Sequence, residues 1–147
     1  MLNEVNINIK GILENIALVR VVVASILAKT NITLDELSDI KTAVSEAVSN
    51  SIEHGYNMEE KGDVEICIKL GEVDSMMYFW IKITDKGVGI EDIELATTPT
   101  YTTKPELEHA GMGFTIMETF MDEVFIDSKL GEGTSVTMTK KLKTIKA

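Results

Sequence analysis

The sequence predicts an α+β domain in which strands and helices pack around one core. Three observations support this class: segments in which apolar and polar residues alternate, polar turns that join two pairs of such segments, and intervening segments whose apolar residues recur at helical spacing. The chain has 147 residues, and a domain of this size buries about 68 to 70% of its unfolded surface. We therefore expect residues 1–147 to form a single domain.

The first two predicted elements are a strand and a helix. From Glu4 to Lys10, apolar residues alternate with polar ones, which is typical of a strand with one buried face. From Leu13 to Lys29, aliphatic residues recur at helical spacing, although the run 21–23 would also suit a strand. The helix carries Arg20, the only arginine of the chain, which would either lie exposed along its own helix or contact a partner protein.

A longer, central helix is predicted to begin at a capping box. Thr33 can accept a hydrogen bond from the amide three residues later, and Glu36 can reach back to the helix start. The helix is expected to run to about residue 53 or 54 and to stop at Gly55, which suits a left-handed C-terminal position.

Three polar residues of the central helix follow one another at i+4 spacing. Glu46, Asn50 and His54 therefore project from roughly one face, about one turn apart. Apolar residues at helical spacing beside them would seat the helix on a core. A polar row next to a buried stripe is either solvated surface or a functional site.

The second half of the chain predicts two hairpins with a helix between them. The first hairpin turns around residues 71–75 and the second around a Gly-Glu-Gly sequence. The predicted elements are strands at 64–70, 77–84, 124–127 and 134–142 and a helix at 114–121.

A short glycine motif directly follows the strand at 77–84. Asp85, Gly87 and Gly89 form D-x-G-x-G, which by itself is most simply a turn with glycines at positive φ. At the end of a buried strand, however, an aspartate can accept a hydrogen bond from an exocyclic amine. The glycines would then let a flat ring approach the backbone.

A long aperiodic stretch and a second glycine motif complete the candidate site. Residues 96–110 are too many for an ordinary connection, and such loops are usually lids or binding loops. The sequence Gly111-Met112-Gly113-Phe114 then opens a helix. Glycine before a helix exposes unpaired N–H groups and the positive end of the helix dipole, which can bind phosphate oxygens.

Composition excludes several classes of function. The net charge of −10 disfavours direct nucleic-acid binding, which needs a basic surface, and suits either a basic protein partner or simple solubility. The single cysteine, Cys67, cannot form an intrachain disulfide, and we expect it to pack in the core. With His54 and His109 it forms no zinc pattern.

We expect a cytoplasmic protein that does not bind a membrane. No apolar run reaches the roughly 18 residues of a membrane span. The N-terminus also lacks the basic and then apolar layout of a secretory signal.

Four motifs in fixed order carry a family resemblance: E-x-x-x-N-x-x-x-H on a helix, D-x-G-x-G after a strand, G-x-G at a helix start, and G-T in the closing hairpin. The set resembles the Bergerat-type ATP-binding domain shared by gyrase, the ninety-kilodalton chaperone, histidine kinases and mismatch-repair ATPases. This resemblance implies a two-layer α/β sandwich, with a mixed, mostly antiparallel sheet, helices on one face and a mobile ATP lid. The segments VSEAVSNSIEHGYN and TTKPELEHAGMGFTIMETFMDEV are similar to anti-sigma factors that are also serine kinases. The sporulation type of these factors is the more similar, and the general-stress type is next.

The resemblance assigns roles at the phosphate end of an ATP or ADP site. Asn50 would complete the coordination of Mg²⁺, which accepts one or two protein oxygens and keeps several waters. Glu46 would be the general base for an incoming serine hydroxyl, a role worth about 10² to 10⁴ in rate. The lid and helix-start residues would close over the β- and γ-phosphates. They are Thr102, Thr103, Lys104, Gly111, Met112, Gly113 and Phe114.

The resemblance also assigns the adenine end of the site. Asp85 would bind the adenine, with Gly87 and Gly89 clearing space and Thr134 near the same ring. His54 would line the pocket or, alternatively, would be a helix-end histidine favoured by the dipole.

Family likeness further implies protein partners. The chain would be a homodimer that inhibits a sigma factor of RNA polymerase through Arg20 and phosphorylates an anti-anti-sigma antagonist on serine. One position departs from the family pattern, because His109 stands where the lid commonly has arginine. A role of that position in phosphate contact or antagonist docking is therefore not carried over.

Three alternatives remain at this point. The chain could be a general-stress type of anti-sigma kinase, or a gyrase-like hydrolytic ATPase in which Glu46 activates water. It could also be a catalytic fragment of a histidine kinase. We expect the last two to be disfavoured, because neither a transducer domain nor a phosphoacceptor helix accompanies the motifs.

Overall fold

A computed structural model describes residues 2–55, 62–87 and 113–145, without the side chains of residues 54, 55, 144 and 145. Its elements in chain order are β1 (Asn3–Lys10), α1 (Asn15–Leu27), α2 (Leu34–Asn50) with a following π-helical turn (Ser51–Gly55), β2 (Asp63–Val73), β3 (Met76–Asp85), α3 (Gly113–Phe120), β4 (Glu123–Lys129) and β5 (Gly133–Ile145).

The five described strands form one sheet in the order β1-β2-β3-β5-β4, so β1 and β4 are its edges. Every pairing between them is antiparallel. The expected α+β class is confirmed. A mixed, mostly antiparallel sheet was expected, and in the described part of the chain the sheet is wholly antiparallel.

The core lies between the sheet and a layer of helices. Alternate residues of β2 and β3 are buried, while the residues between them remain partly or fully exposed, so only one face of the sheet is covered. Phe79, Ile81 and Ile83 of β3 are fully buried, as are Val44 and Ala47 of α2. Complete burial of a large apolar side chain contributes about 1.5 to 3 kcal/mol. Helix α2 contacts both α1 and α3, which places it in the middle of the helical layer.

The β2–β3 hairpin turns without glycine. Asp74 and Ser75 link the strands, with φ values of 52° and 68°. A two-residue turn with positive φ at both positions matches the twist of the strands. Gly71, which the sequence suggested as part of the turn, instead lies inside β2 opposite Tyr78.

The capping box at the start of α2 is half confirmed. Thr33 accepts a hydrogen bond from the Glu36 amide at 3.1 Å, as expected. The Glu36 side chain, however, accepts from the backbone amide of Lys143 at 3.2 Å and is only 5% exposed. It therefore fastens the start of α2 to β5.

The expectation that Cys67 packs in the core was wrong. Cys67 does not belong to the core: it lies half-buried on the uncovered face of the sheet, beside Asn6 and Lys82 in the register. In α1, the buried residues include Val19 and Val23, whereas Val21 is 65% exposed. Because α1 is apolar on almost every side, periodicity did not identify its buried face.

The start of β5 approaches the end of β3 so closely that only glycine fits. Gly133 has φ of 113°, and a Cβ placed on it would overlap the carbonyl oxygen of Asp85. The next residue, Thr134, pairs directly with Asp85 in the register of β3 and β5. Gly133 thus fixes how β5 meets the end of β3.

Substitution of Gly133 should therefore destabilise the fold strongly. We expect Gly133→Ala to lower the free energy of unfolding by about 3 kcal/mol or more, because the strand must shift in addition to the backbone strain. Gly131→Ala is the matched control, since Gly131 also has positive φ (84°) but no atom within 4 Å of an added Cβ, and it should cost only about 1 kcal/mol. Urea denaturation of both variants measures the difference. Equal losses would show that the close approach is not the cause.

Candidate functional site

Two residues of the predicted polar row meet the start of α3. A Cβ placed on Gly113 would lie 3.0 Å from Asn50 Nδ2, 3.4 Å from Asn50 Oδ1 and 3.4 Å from Glu46 Oε2. Gly113 is buried at this contact. The helix-borne carboxylate and amide therefore converge on the first residue of α3, where backbone N–H groups lack helical partners.

The end of α2 bridges two halves of the site. Its last residue is Asn50, and the next residue, Ser51, begins the π-helical turn. While Asn50 faces α3, the hydroxyl of Ser51 hydrogen-bonds to Asp85 at the end of β3. Single π-helical turns are often found at functional sites.

Asp85 is a buried carboxylate held by hydrogen bonds. It is 3% exposed, and its Oδ1 accepts from the Gly87 amide at 2.9 Å. The Ser51 hydroxyl and the Thr134 backbone amide also donate to it. Burial raises the pKa of Asp85 above its ordinary value of 3.8, and the three hydrogen bonds oppose that shift.

The Thr134 hydroxyl is held by a residue of β4. Ser128 Oγ donates to the carbonyl oxygen of Gly133 at 3.0 Å and lies 2.7 Å from Thr134 Oγ1. This pair of hydroxyls ties the start of β5 to β4 beside Asp85, with which Thr134 pairs in the register.

Arg20 lies outside this site and is not a freely exposed arginine. It is half-buried, and its Nη1 donates to Ser45 Oγ at 2.6 Å and, more weakly, to the carbonyl oxygen of Lys41 at 3.4 Å. The guanidinium thus reaches from α1 to α2 rather than lying along its own helix. Leu18 and Val21 beside it in α1 are 49% and 65% exposed.

The structure brings together part of the predicted site. Glu46, Asn50 and Gly113 form one group, and Asp85, Gly87 and Thr134 form another. Phe114 is half-buried and packs against the core. Several predicted residues lie outside the described residues: Gly89, Thr102, Thr103, Lys104, Gly111 and Met112, together with His109 and the side chain of His54.

Sequence reasoning missed three serines in and beside the site. Ser51 follows Asn50 directly but carries no motif, Ser128 lies in β4, and Ser45 holds Arg20. The available signal for Ser51 was its position directly beside the polar row of α2. Nothing local in the sequence distinguishes Ser128, because its contact depends on the pairing of β4 with β5.

Two further properties concern residues 2–55, 62–87 and 113–145. None of the helices there is sufficiently long and apolar to cross a membrane. No group of three or more histidine, cysteine, aspartate or glutamate side chains comes together there in a way that could hold a metal ion.

Comparison with known proteins identifies the class. The chain belongs to the family of histidine kinase-like ATPase domains, whose family model matches residues 10–140. Members of this family bind a nucleotide, so the two groups of residues described above form the candidate nucleotide site.

Full-length relatives of the chain include proteins named anti-sigma F factor. The protein of Bacillus licheniformis is 49% identical over 147 residues, which cover 100% of this chain and 98% of that protein. Those of Bacillus subtilis and Clostridium beijerinckii are each 48% identical, covering 98% and 97% of the respective protein and 100% and 97% of this chain. The predicted resemblance is confirmed.

Solved structures agree on the fold. The RsbU and RsbW domains of Rv1364c from Mycobacterium tuberculosis match 97% of this chain and 33% of that chain, with a TM-score of 0.67 and 20% identity. A mycobacterial sensor histidine kinase, MprB, matches 96% of this chain and 100% of that chain, with a TM-score of 0.56 and 16% identity. The Bergerat-type two-layer fold is therefore confirmed.

The pKa of Asp85 makes a testable contribution to stability. Because its folded pKa is raised, the folded state binds more protons than the unfolded state between pH 3.8 and that raised pKa. Stability relative to Asp85→Asn should therefore increase as the pH falls through this window. The gain is about 1.4 kcal/mol for every pH unit that separates the folded pKa from the unfolded pKa. Denaturation of both proteins at several pH values from about 7 down to about 3 checks this.

Asp63→Asn provides a control of opposite sign. A side-chain hydrogen bond from Lys10 at 2.8 Å lowers the pKa of the exposed Asp63. Stability relative to this variant should therefore decrease as the pH falls through and below 3.8. The same sign of pH dependence at both positions would contradict the assignment for Asp85.

Proposed function

We propose that this protein is a cytoplasmic, single-domain anti-sigma factor of the sporulation type. It holds ATP or ADP with Mg²⁺, inhibits a sigma factor, and phosphorylates an anti-anti-sigma antagonist on serine. The observation that carries this proposal is the meeting of Glu46 and Asn50 at Gly113, on the same helix end that contacts the buried Asp85. The full-length similarity to anti-sigma F factors supports the choice of partners.

Chemistry at the phosphate end follows from the donor set. Asn50 Oδ1 is an uncharged oxygen ligand of the kind Mg²⁺ accepts, and it lies beside the start of α3. When bound, ATP would supply the transferable phosphoryl group, and Mg²⁺ would offset the negative charge of its phosphates. Glu46 Oε2, in the same group, can accept the proton of an incoming serine hydroxyl. Backbone N–H groups at the start of α3 face this region and favour anionic oxygens.

Selection of adenine follows from the group formed by Asp85, Gly87 and Thr134. Ionised Asp85 accepts a hydrogen bond from the exocyclic amine of adenine, and Thr134 Oγ1 offers a second acceptor nearby. Gly87, whose amide binds Asp85, leaves the backbone accessible to a flat ring. By resemblance, Gly89 and His54 complete this end of the pocket.

By the same resemblance, a lid encloses the phosphates. Thr102, Thr103 and Lys104 of residues 96–110 would cover the β- and γ-phosphates together with Gly111 and Met112. Positioning and charge stabilisation of this kind dominate phosphoryl transfer. Exchange of ATP for ADP can select between partners only as far as the two nucleotides differ in affinity for two lid states.

The partner surface proposed for the sigma factor is centred on Arg20. The tethered guanidinium and the exposed Leu18 and Val21 combine a fixed cation with apolar area, as protein interfaces often do. The net charge of −10 favours a basic partner. The protein acts as a homodimer in which, by family likeness, the antagonist competes with the sigma factor for an overlapping surface.

A hydrolytic ATPase is the second candidate function. The same Glu46 carboxylate could activate water instead of a serine hydroxyl. Likewise, a general-stress type of anti-sigma kinase would use the same pocket. The acceptor of the phosphoryl group distinguishes the hydrolytic ATPase, in which it is water, from the kinase, in which it is a serine hydroxyl.

Removal of the proposed base should stop protein phosphorylation. We expect Glu46→Gln to lower the rate of phosphoserine formation on the cognate antagonist by about 10² to 10⁴, with ATP affinity changed by no more than about threefold. Transfer from radiolabelled ATP measures the rate, and isothermal titration measures the affinity. Asp39→Asn, a matched change two turns earlier on α2, should leave both unchanged.

The same experiment tests the alternative. Label released as free phosphate at the same rate with and without the antagonist would favour the hydrolytic ATPase. Phosphoserine formation that is undiminished in Glu46→Gln would remove this residue from the role of base.

Charge reversal at Arg20 should separate partner binding from nucleotide binding. We expect Arg20→Glu to weaken sigma binding about 100-fold or more, since buried interfacial arginines are often hot spots, and to leave ATP affinity within about twofold. Surface plasmon resonance with the cognate sigma factor measures the first quantity. Ser45→Ala is the control, because it removes the bond to Arg20 without changing the charge, and it should cost only a few-fold.

Two results would contradict this contact. Intact sigma binding by Arg20→Glu would exclude it. An equal loss in Ser45→Ala would assign the effect to the packing of α1 on α2 rather than to the guanidinium.

A further inference from the structure

Ser51 occupies an unusual position for a serine that ends a helix. It is 4% exposed, and its backbone amide already donates to the carbonyl oxygens of Ala47 and Val48. Its hydroxyl donates to Asp85, across the junction between the π-helical turn and the end of β3.

The hydrogen bonds of Asp85 differ in kind. Two of its described donors, the Gly87 and Thr134 amides, belong to the backbone and stay in place whatever side chains surround them. Ser51 supplies the side-chain donor. A carboxylate has about four acceptor positions, so three described donors leave one for a further N–H group.

The direction of that remaining position depends on how the carboxylate is rotated. The terminal torsion of an aspartate is broad, and a third donor from a separate segment restricts it. Ser51 is well suited to this, because it is buried and the helix end fixes its backbone. Loss of its hydroxyl would leave Asp85 with the two backbone donors alone. The carboxylate would stay in place, but its terminal torsion would be less restricted.

We propose that Ser51 is a positioning residue for base selection: it holds the Asp85 carboxylate so that its free acceptor position meets the exocyclic amine of adenine. This inference rests on the proposed function, namely that the site binds ATP. Ser51 acts through Asp85 and does not touch the reacting atoms. Its contribution should therefore appear in nucleotide affinity and base discrimination, and not in the rate of phosphoryl transfer from bound ATP.

The experiment compares two nucleotides on three variants of the full chain. The probes are ATP and purine riboside 5′-triphosphate, which differs from ATP only in lacking the exocyclic amine. Ser51→Ala removes the hydroxyl, Ser51→Thr keeps it, and Ser49→Ala makes the same deletion two residues earlier on α2. Dissociation constants are measured by isothermal titration, and the kcat and KM of antagonist phosphorylation are measured in parallel.

We expect Ser51→Ala to weaken ATP binding about three- to tenfold, the range of one hydrogen bond. It should weaken binding of the purine analogue less than twofold and raise KM without changing kcat. Ser51→Thr and Ser49→Ala should stay within about twofold of the wild type for both probes. An equal loss for both probes, or a fall in kcat at unchanged KM, would overturn the proposal.

Failure of this inference can be distinguished from failure of the proposed function. Wild-type protein that binds neither probe would refute the nucleotide site itself. Wild-type protein that binds ATP while Ser51→Ala binds it equally well would refute only the role of Ser51. Should Ser51→Ala fail to fold, Ser51→Cys decides the same point, because a thiol fills the space but donates weakly.

Discussion

The buried carboxylate of Asp85 is the constraint on which the site depends. Desolvation opposes its charge, and donors from the π-helical turn, from Gly87 and from the start of β5 offset that cost. These three segments are far apart in sequence, so they can meet only after α2, β3 and β5 have packed. Gly133 makes the last approach possible, because a side chain at that position would collide with Asp85. The fold thus holds a hydrogen-bonded carboxylate in its interior.

Helix α2 connects Asp85 to the proposed phosphate end of the site. Consecutive residues, Asn50 and Ser51, reach α3 and β3 respectively, because the helix widens into a π-helical turn at this point. At its start the same helix is fastened by Glu36 to β5. Helix α2 is therefore held at both ends, and its polar row can keep a fixed geometry. Rigid support of this kind is what positioning of reacting groups requires.

How far the sequence predicted this arrangement depended on the range of the interactions. Strand alternation, the i+4 spacing on α2 and the ordered motifs identified the fold, the meeting of Glu46 with Asn50, and the placement of Asp85 beside Thr134. The failures have a common cause. Glu36 accepts from the Lys143 amide rather than from its own helix start, Cys67 lies on the uncovered sheet face, and Ser51 contacts Asp85 of β3. Each of these outcomes was decided by a tertiary neighbour that local pattern does not reveal.

The same helix also links the proposed partner surface to the nucleotide site. Ser45, which holds Arg20, immediately precedes Glu46, and successive residues of an α-helix point about 100° apart. One side of α2 therefore carries the bond to α1, and an adjacent side carries the groups that meet α3. A helix moves as a rigid unit, so a shift that changes the fit of Glu46 and Asn50 against Gly113 also changes the bond that fixes Arg20. Nucleotide and sigma factor would then influence each other through one element, to the extent that each binds one position of α2 better than another.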